Sequence, residues 1–390
     1  DFTDPGFIEH LQKVYAVWRE AGIKGMMFDY PSSGWAPEGG FEDRYATSAY
    51  AYRTMFRLAL EGLGPESFIQ ENKLSRGSDI TLGLVASQRT AGDADMINPL
   101  MVSRDGLRWY KNRVVVNYDK DAKNPDHATP PNRDGWRTMC TMSYVTGGRF
   151  LLGLSFSKIT DDQFIDLTRI FPSHKQPRSA RPADAFTGIN FPRIYDFVVN
   201  KDWHQVTLYN TSLDNDTYIG NENFKYPEGN YIASEIFINC SGEPGFGGLG
   251  LEAKNSYYVY DFWNEKFVGK VGGADTIRLS MRPGESRMLS IHKTEKNPQF
   301  ISTNRHIMQG YVDMIKIDWD ERTSKLKGIS RTVAGETYKI IVACNGRKMK
   351  SLTAKDAKTG WSTVDEKNEL ISLSIDSRSG GDIHWIASFR

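Results

Sequence analysis

The 390-residue chain carries 49 Lys and Arg against 48 Asp and Glu, a net charge of +1, with 25% charged and 39% hydrophobic residues. Near-balanced charge without a basic block disfavours a nucleic-acid groove, and the length allows a sizeable core spread over two or three domains. No apolar run approaches the roughly 18 residues that a membrane-spanning helix needs, and the first residues lack a charged-then-apolar signal pattern. Cys140, Cys240 and Cys344 are far apart, odd in number and without metal-ligand spacing, so they read as buried thiols. His127, His174 and His204 show no ligand spacing either, so neither a metal nor a cofactor is expected.

In chain order, Pro5 to Glu20 predicts a helix with Asp4 as N-cap and Ile8, Leu11, Tyr15 and Trp18 on one face. Ala21-Gly22 ends it, and Ile23 to Asp29 reads as a strand that delivers Asp29, Tyr30 and Pro31 to a rim. A Gly/Pro-rich loop from Pro31 to Gly40 follows, with Trp35 in its middle, a natural wall for a site. A helix over roughly Glu42 to Glu61 stops at Gly62 and Gly64, and a strand from Ser67 to Leu74 carries Gln70, Glu71 and Asn72. Ile80 to Gln88 is a short apolar run that ends in Arg, Gly and acids, the pattern of a buried parallel strand opening into a polar site.

After an irregular or helical connection from Asp95 to Arg108, the β-branched run Arg113 to Tyr118 predicts a strand, with a polar loop to about Pro131. Arg137 to Tyr144 reads as helix, Phe150 to Ser155 as strand, and Thr160 to Phe171 as a helix capped by Thr160 with Asp161 and Asp162 in its first turn. This α/β alternation gives five parallel strands, where a closed (β/α)₈ TIM barrel needs eight. Residues 1–192 are therefore expected to be strands four to eight, the C-terminal half of such a barrel. The missing N-terminal half is expected on the same polypeptide or on a second fragment.

From about Arg193 the period shortens. His204 to Tyr209, Ser256 to Phe262, Thr276 to Ser280, Ser286 to Ile291, Tyr338 to Ala343, Glu369 to Ile375 and Ile383 to Phe389 alternate as short strands, separated by turns such as Pro283-Gly284, Asn345-Gly346 and Gly380-Gly381. They predict a β-sandwich over 193–296 and a second over 297–390, with Lys293 to Pro298 as junction.

Asp29 and Asp93 stand where neighbouring strand ends of one barrel would hold a pair of carboxylates, the groups that acid/base or nucleophilic work requires. On pattern alone, Asp29 serves equally as an N-cap or ion-pair partner, and Asp93 as an N-cap with Asp95 its rival. Glu71 divides between a ligand-binding acid and a barrel-interior ion pair. Tyr30, Trp35 and Trp109 could stack on a ligand ring or belong to the core. The sequons at Asn210 and Asn215 say little about glycosylation.

Gln88-Arg89-Thr90-Ala91-Gly92-Asp93 resembles the W-R-T-T-G-D stretch of family 27 retaining α-galactosidases, and Phe28-Asp29-Tyr30 resembles the strand that bears their nucleophile. Thr141 to Phe171 is similar to the last strand and helix of the melibiase-type clan, families 27 and 36. The resemblance covers roughly residues 1–180. It implies a retaining, exo-acting, α-galactosidase-like glycosidase of extracellular or periplasmic location, with Asp29 as nucleophile, Asp93 as acid/base, Arg89 donating to a sugar hydroxyl and Glu71 as a substrate-binding acid; for such a substrate the aromatic Tyr30 and Trp35 are the expected stacking residues. The family's Lys two residues before the nucleophile is Met27 here, which puts galactose specificity in doubt. β-L-Arabinopyranosidase, α-N-acetylgalactosaminidase or transglycosylase activity would use the same acids. A non-catalytic carbohydrate-binding protein on the same scaffold is the alternative from another class. The partner in every case is a glycoside or oligosaccharide.

Overall fold

The computed structural model describes residues 1–35, 40–72, 79–90, 94–95, 103, 106–124, 133–153, 155–215, 217–221, 224–227 and 229–390. The N-terminal layer starts with helix α1 (Pro5–Glu20), where Asp4 accepts hydrogen bonds from the backbone N–H of Gly6 (2.7 Å) and Phe7 (3.2 Å). Thr47 caps α2 (Ser48–Leu63) in the same way, which starts this helix later than the apolar pattern predicts. The two helices meet where Gly62 faces Tyr15. A Cβ at Gly62 would stand 2.4 Å from that of Tyr15, so the close approach requires glycine.

Both helices cover a parallel sheet built from β1 (Gly25–Phe28), β2 (Phe68–Glu71), β3 (Ser87–Arg89), β4 (Ala94–Asp95), β5 (Asn117–Asn124) and β6 (Arg149–Leu152). Its order is β1-β2-β3-β5, with β4 and β6 both pairing β5. Every pairing is parallel. The core under the helices joins Tyr15, Tyr52, Phe56 and Leu58 to Ile69, Val85, Val116 and Tyr118. Each such side chain contributes roughly 1.5–3 kcal/mol by leaving water.

Two predicted strands are corrected. Only Ser87–Arg89 is extended in the Ile80–Gln88 run, because Gly83 adopts φ +84° and the N–H groups of Leu84 and Val85 both donate to Thr81 O. Ile80, Leu82 and Leu84 instead pack as a turn on the helix-side core. In Arg113–Tyr118, Arg113 has φ +65° and Val114 and Val115 are exposed on a turn. The strand begins at Asn117 and runs through residues whose polarity predicts a loop.

Helices α3 (Arg133–Thr146) and α4 (Asp161–Thr168) follow, the latter closed by a capping box between Thr160 and Gln163. They lie against an antiparallel sheet. The strands are β7 (Arg181–Pro182), β8 (Ile194–Asn200), β9 (Trp203–Tyr209), β10 (Tyr218–Asn221), β11 (Phe224–Pro227), β12 (Ser234–Asn239), β13 (Ser256–Asp261), β14 (Lys266–Gly272), β15 (Thr276–Met281) and β16 (Ser286–Lys293). Six of them form one sheet in the order β14-β13-β16-β9-β8-β7, while β10 pairs β11 and β12 pairs β15. One face of the large sheet sends Tyr195, Phe197, Tyr209 and Met288 into a core shared with Trp136, Met139, Cys140 and Leu167 of the helices. The other face packs Val206, Leu208, Val259 and Leu289 against Ile236, Ile238, Ile277 and Leu279 of the β12–β15 pair.

The remaining strands are β17 (Gln299–Thr303), β18 (Met314–Asp320), β19 (Lys325–Thr332), β20 (Thr337–Ala343), β21 (Met349–Ala354), β22 (Ala357–Asp365), β23 (Leu370–Ser377) and β24 (Gly381–Phe389). They make two four-stranded sheets, β17-β20-β23-β22 and β18-β19-β24-β21. Alternate residues such as Ile340, Val342, Leu373, Ile375, Trp385 and Ala387 fill the core, and both Asn345 and Gly346 take positive φ at a turn. All three cysteines are free and buried. No helix among the described residues is long and apolar enough to cross a membrane, and no metal-holding group of His, Cys, Asp and Glu occurs among them.

Candidate active site

Pairing register decides which side chains share a face of the parallel sheet. Phe28 pairs with Glu71, Glu71 with Gln88, and Gln88 with Tyr118. In a strand, successive side chains alternate between faces, so these four point one way and their immediate neighbours the other. Phe28 meets Phe56 of α2, with ring centroids 4.9 Å apart, and Tyr118 belongs to the helix-side core. The Phe28 row therefore faces the helices. Met27, Gln70, Ser87 and Asn117, and one step further Asp29, Asn72, Arg89 and Asp119, belong to the opposite, inner face.

The inner face carries a continuous polar chain. Asn72 Nδ2 donates to Asp29 Oδ1 (3.4 Å), and Asn72 Oδ1 accepts from Gln70 Nε2 (2.9 Å). Gln70 Nε2 also donates to Asp119 Oδ2 (2.7 Å), and Arg89 Nε lies 3.8 Å from the same carboxylate oxygen. Arg89 Nη2 reaches Met27 Sδ at 3.8 Å. Asp119 is fully buried, whereas Asp29 is exposed just past the C-terminal end of β1, its Oδ1 also accepting from Tyr30 N at 3.1 Å. Gln70 Oε1 and Ser87 Oγ are buried on this face with no hydrogen-bond partner among the described residues.

This arrangement can present one exposed carboxylate to a ligand and carries one guanidinium on the same face, two strands away. The buried Asp119 carboxylate lies beside Arg89, and Asn72 donates to Asp29. Charged, hydrogen-bonded groups at the C-terminal ends of neighbouring parallel strands are the position at which barrel folds carry their polar sites.

Of the sequence-predicted site residues, Asp29 and Arg89 come together on this face. Tyr30 follows Asp29, exposed and with φ +51°. Asp93 lies outside the described residues. Glu71 is corrected: its carboxylate faces the helices and is 1% exposed. It accepts from Tyr52 Oη (2.6 Å), Thr81 Oγ1 and Gln88 Nε2 (3.0 Å), so it is neither at the Asp29 site nor in a barrel-interior ion pair. Burial raises the Glu71 pKa above its ordinary value and outweighs these three hydrogen bonds, which pull it down. Trp35 is half-buried, its ring packed edge-on against Tyr52 at 5.4 Å.

Gln70, Asn72 and Asp119 were missed as site residues. The signal was present as three polar pairs two residues apart, Gln70/Asn72, Ser87/Arg89 and Asn117/Asp119, each straddling one residue of the opposite face.

No family model matches this sequence, and no curated protein matches it. Solved structures do. An isomalto-dextranase from Arthrobacter globiformis T6 aligns with all of this chain and 71% of its own, at 10% identity and a TM-score of 0.50. α-Galactosidase I from Mortierella vinacea covers 73% of this chain and 71% of its own, at 12% identity and a TM-score of 0.51. A family 27 β-L-arabinopyranosidase from Geobacillus stearothermophilus covers 75% of this chain, which spans 63% of that enzyme, again at 12% identity and 0.51. The chain shares a fold with glycoside hydrolases, in which a parallel, partial-barrel sheet is followed by antiparallel β-structure.

Proposed function

We propose that the chain is a retaining, exo-acting α-glycosidase in which Asp29 is the nucleophile and Asp93 the general acid/base. The observation that carries this reading is Asp29 itself, an exposed carboxylate at the C-terminal end of a parallel strand, tied by Asn72 into the polar chain that ends at Arg89. Attack by Asp29 on the anomeric carbon forms a glycosyl-enzyme while the second acid protonates the leaving oxygen. Water then releases the sugar as the acid/base takes the proton back. Retention by this route places the two carboxyls about 5–5.5 Å apart. Arg89 donates to a sugar hydroxyl, and Tyr30 borders the same rim.

The sugar is α-galactose-like in this reading, with Met27 in the position that would otherwise bring a lysine to the ring hydroxyls. A neighbour that aligns with the whole chain is an isomalto-dextranase, which makes α-linked glucose the second class to test. A panel of aryl α-galactosides, β-L-arabinopyranosides and α-glucosides or isomaltosides, followed by NMR of the first-formed anomer, tests the proposal. Retained product and a loss of several orders of magnitude in Asp29→Ala are expected. Asp93→Ala should cripple natural glycosides while sparing glycosylation by substrates with good leaving groups, and Asp95→Ala should do neither. An inverted anomer would overturn the nucleophile, and exchanged profiles for the two aspartates would overturn the acid.

A further inference from the structure

A groove of about 380 Å³ lies far along the chain from Asp29, where the β8–β9 turn and the end of β16 meet β17, β18 and β19. That volume falls within the roughly 300–1,000 Å³ of small-ligand sites. Its lining is a mixture. Trp203 stacks on His292, centroids 4.7 Å apart and planes at 25°, and meets Phe300 edge-on at 5.8 Å. Trp319 forms part of the facing wall, held by Nε1 donating to Glu321 (2.6 Å) and by Arg347 over its ring at 5.2 Å. His292 Nε2 is buried without a hydrogen-bond partner among the described residues.

The lining also carries charged groups. Asp202 pairs with Lys293 (3.1 Å), Lys201 and Glu295 are of opposite sign, and Asp318 pairs with Lys316, which lies outside the lining (2.9 Å). The charges therefore balance. Such a groove offers a charged ligand no net attraction, yet it combines indole faces with carboxylate acceptors. Pyranose rings match that combination, since their axial C–H groups pack on aromatic surface while their equatorial hydroxyls donate to carboxylates.

We propose that this groove is a second, non-catalytic saccharide site that takes a neutral sugar unit between Trp203 and Trp319, with Glu295 and Asp318 accepting its hydroxyls. Bound there, a polymeric substrate would be held while the Asp29 site works on a chain end.

The test uses the full chain carrying Asp29→Ala, so that no turnover occurs, with ¹⁵N-labelled tryptophan and the indole resonances of Trp203 and Trp319 assigned from their Phe variants. Isomaltotriose, maltotriose and raffinose are the probes, with methyl glucuronide as a charged comparison. Saturable shifts of both indoles with at least one neutral sugar are expected, together with at least threefold weaker binding in Glu295→Gln. Indoles unmoved by every neutral sugar, shifts with the glucuronide alone, or an unchanged dissociation constant in Glu295→Gln would each overturn the proposal. Because the signal arises at the groove, its outcome is independent of whether Asp29 is the nucleophile.

Discussion

Adjacent residues on β2 do opposite jobs. Asn72 and Gln70 face the open site, while Glu71 between them points into the helix layer and is held by three donors. Truncation to Ala removes the acceptor of the Tyr52 hydroxyl, at about 1–3 kcal/mol for a buried group left unpaired. Urea unfolding of Glu71→Ala should show that loss. Glu71→Gln keeps an acceptor and should leave KM for the sugar unchanged, which a ligand carboxylate would not. Burial raises the folded pKa above the ordinary 4.5, so the folded protein binds this proton more tightly than the unfolded chain. The contribution is present below 4.5 and is lost as pH rises through the folded value. The stability of the wild type relative to Glu71→Gln should therefore fall from about pH 4.5 upward, and a difference that grows with pH would contradict the burial argument.

At the scale of elements, the site depends on the β1–β2 register. Gly25 starts β1, and a Cβ there would stand 2.8 Å from Phe68 O, so Gly25→Ala must push the two strands apart. Asp29 lies four residues along the same chain, and a displacement of about 1 Å can cost a reaction roughly 100-fold. Gly25→Ala should lower kcat by about tenfold or more while the protein stays folded, as steady-state kinetics and circular dichroism would show.

Element legibility followed burial. α1, with Asp4 as its cap and a clean apolar stripe, forms over the residues its pattern predicts, and the C-terminal strands match their alternation to within a few residues. β5 was illegible because its inner face carries Asn117 and Asp119 of the candidate site in place of the apolar residues by which strands are recognised, while the β-branched Val114 and Val115 decoyed the reading onto an exposed turn. Asp29 and Arg89 were readable from their place after short apolar runs. Asp119 was not, because nothing local distinguishes a buried strand carboxylate from a loop acid, and its partners Gln70 and Arg89 are distant in sequence.

Across the whole molecule, Arg137 of α3 joins the helices to the antiparallel sheet. Its guanidinium donates to Asp166 (2.9 and 3.1 Å) and to Trp263 O (2.9 Å) and lies 4.7 Å from the Trp263 ring, whose Nε1 donates in turn to Thr141 Oγ1 (2.8 Å). Asp166 is nearly fully buried but keeps Arg133 as a second partner. Breaking a buried pair costs about 3–5 kcal/mol, and the retained Arg133 places Arg137→Leu near the lower end. Because helices and sheet share one core, the urea midpoint should fall with the slope unchanged. Two separated transitions would show that this core does not unfold as a unit.

The three free thiols are distributed one to a core. Cys140 lies between helices and sheet, Cys240 between the large sheet and the β12–β15 pair, and Cys344 inside the last pair of sheets. Burial pushes Cys240 and Cys344 up to about 11, and Cys140 higher still, so none is a thiolate at neutral pH while packed. Alkylation must wait for each layer to open. The native sequence thus contains three internal clocks, and the order in which they are modified reads out which layer of the protein breathes first.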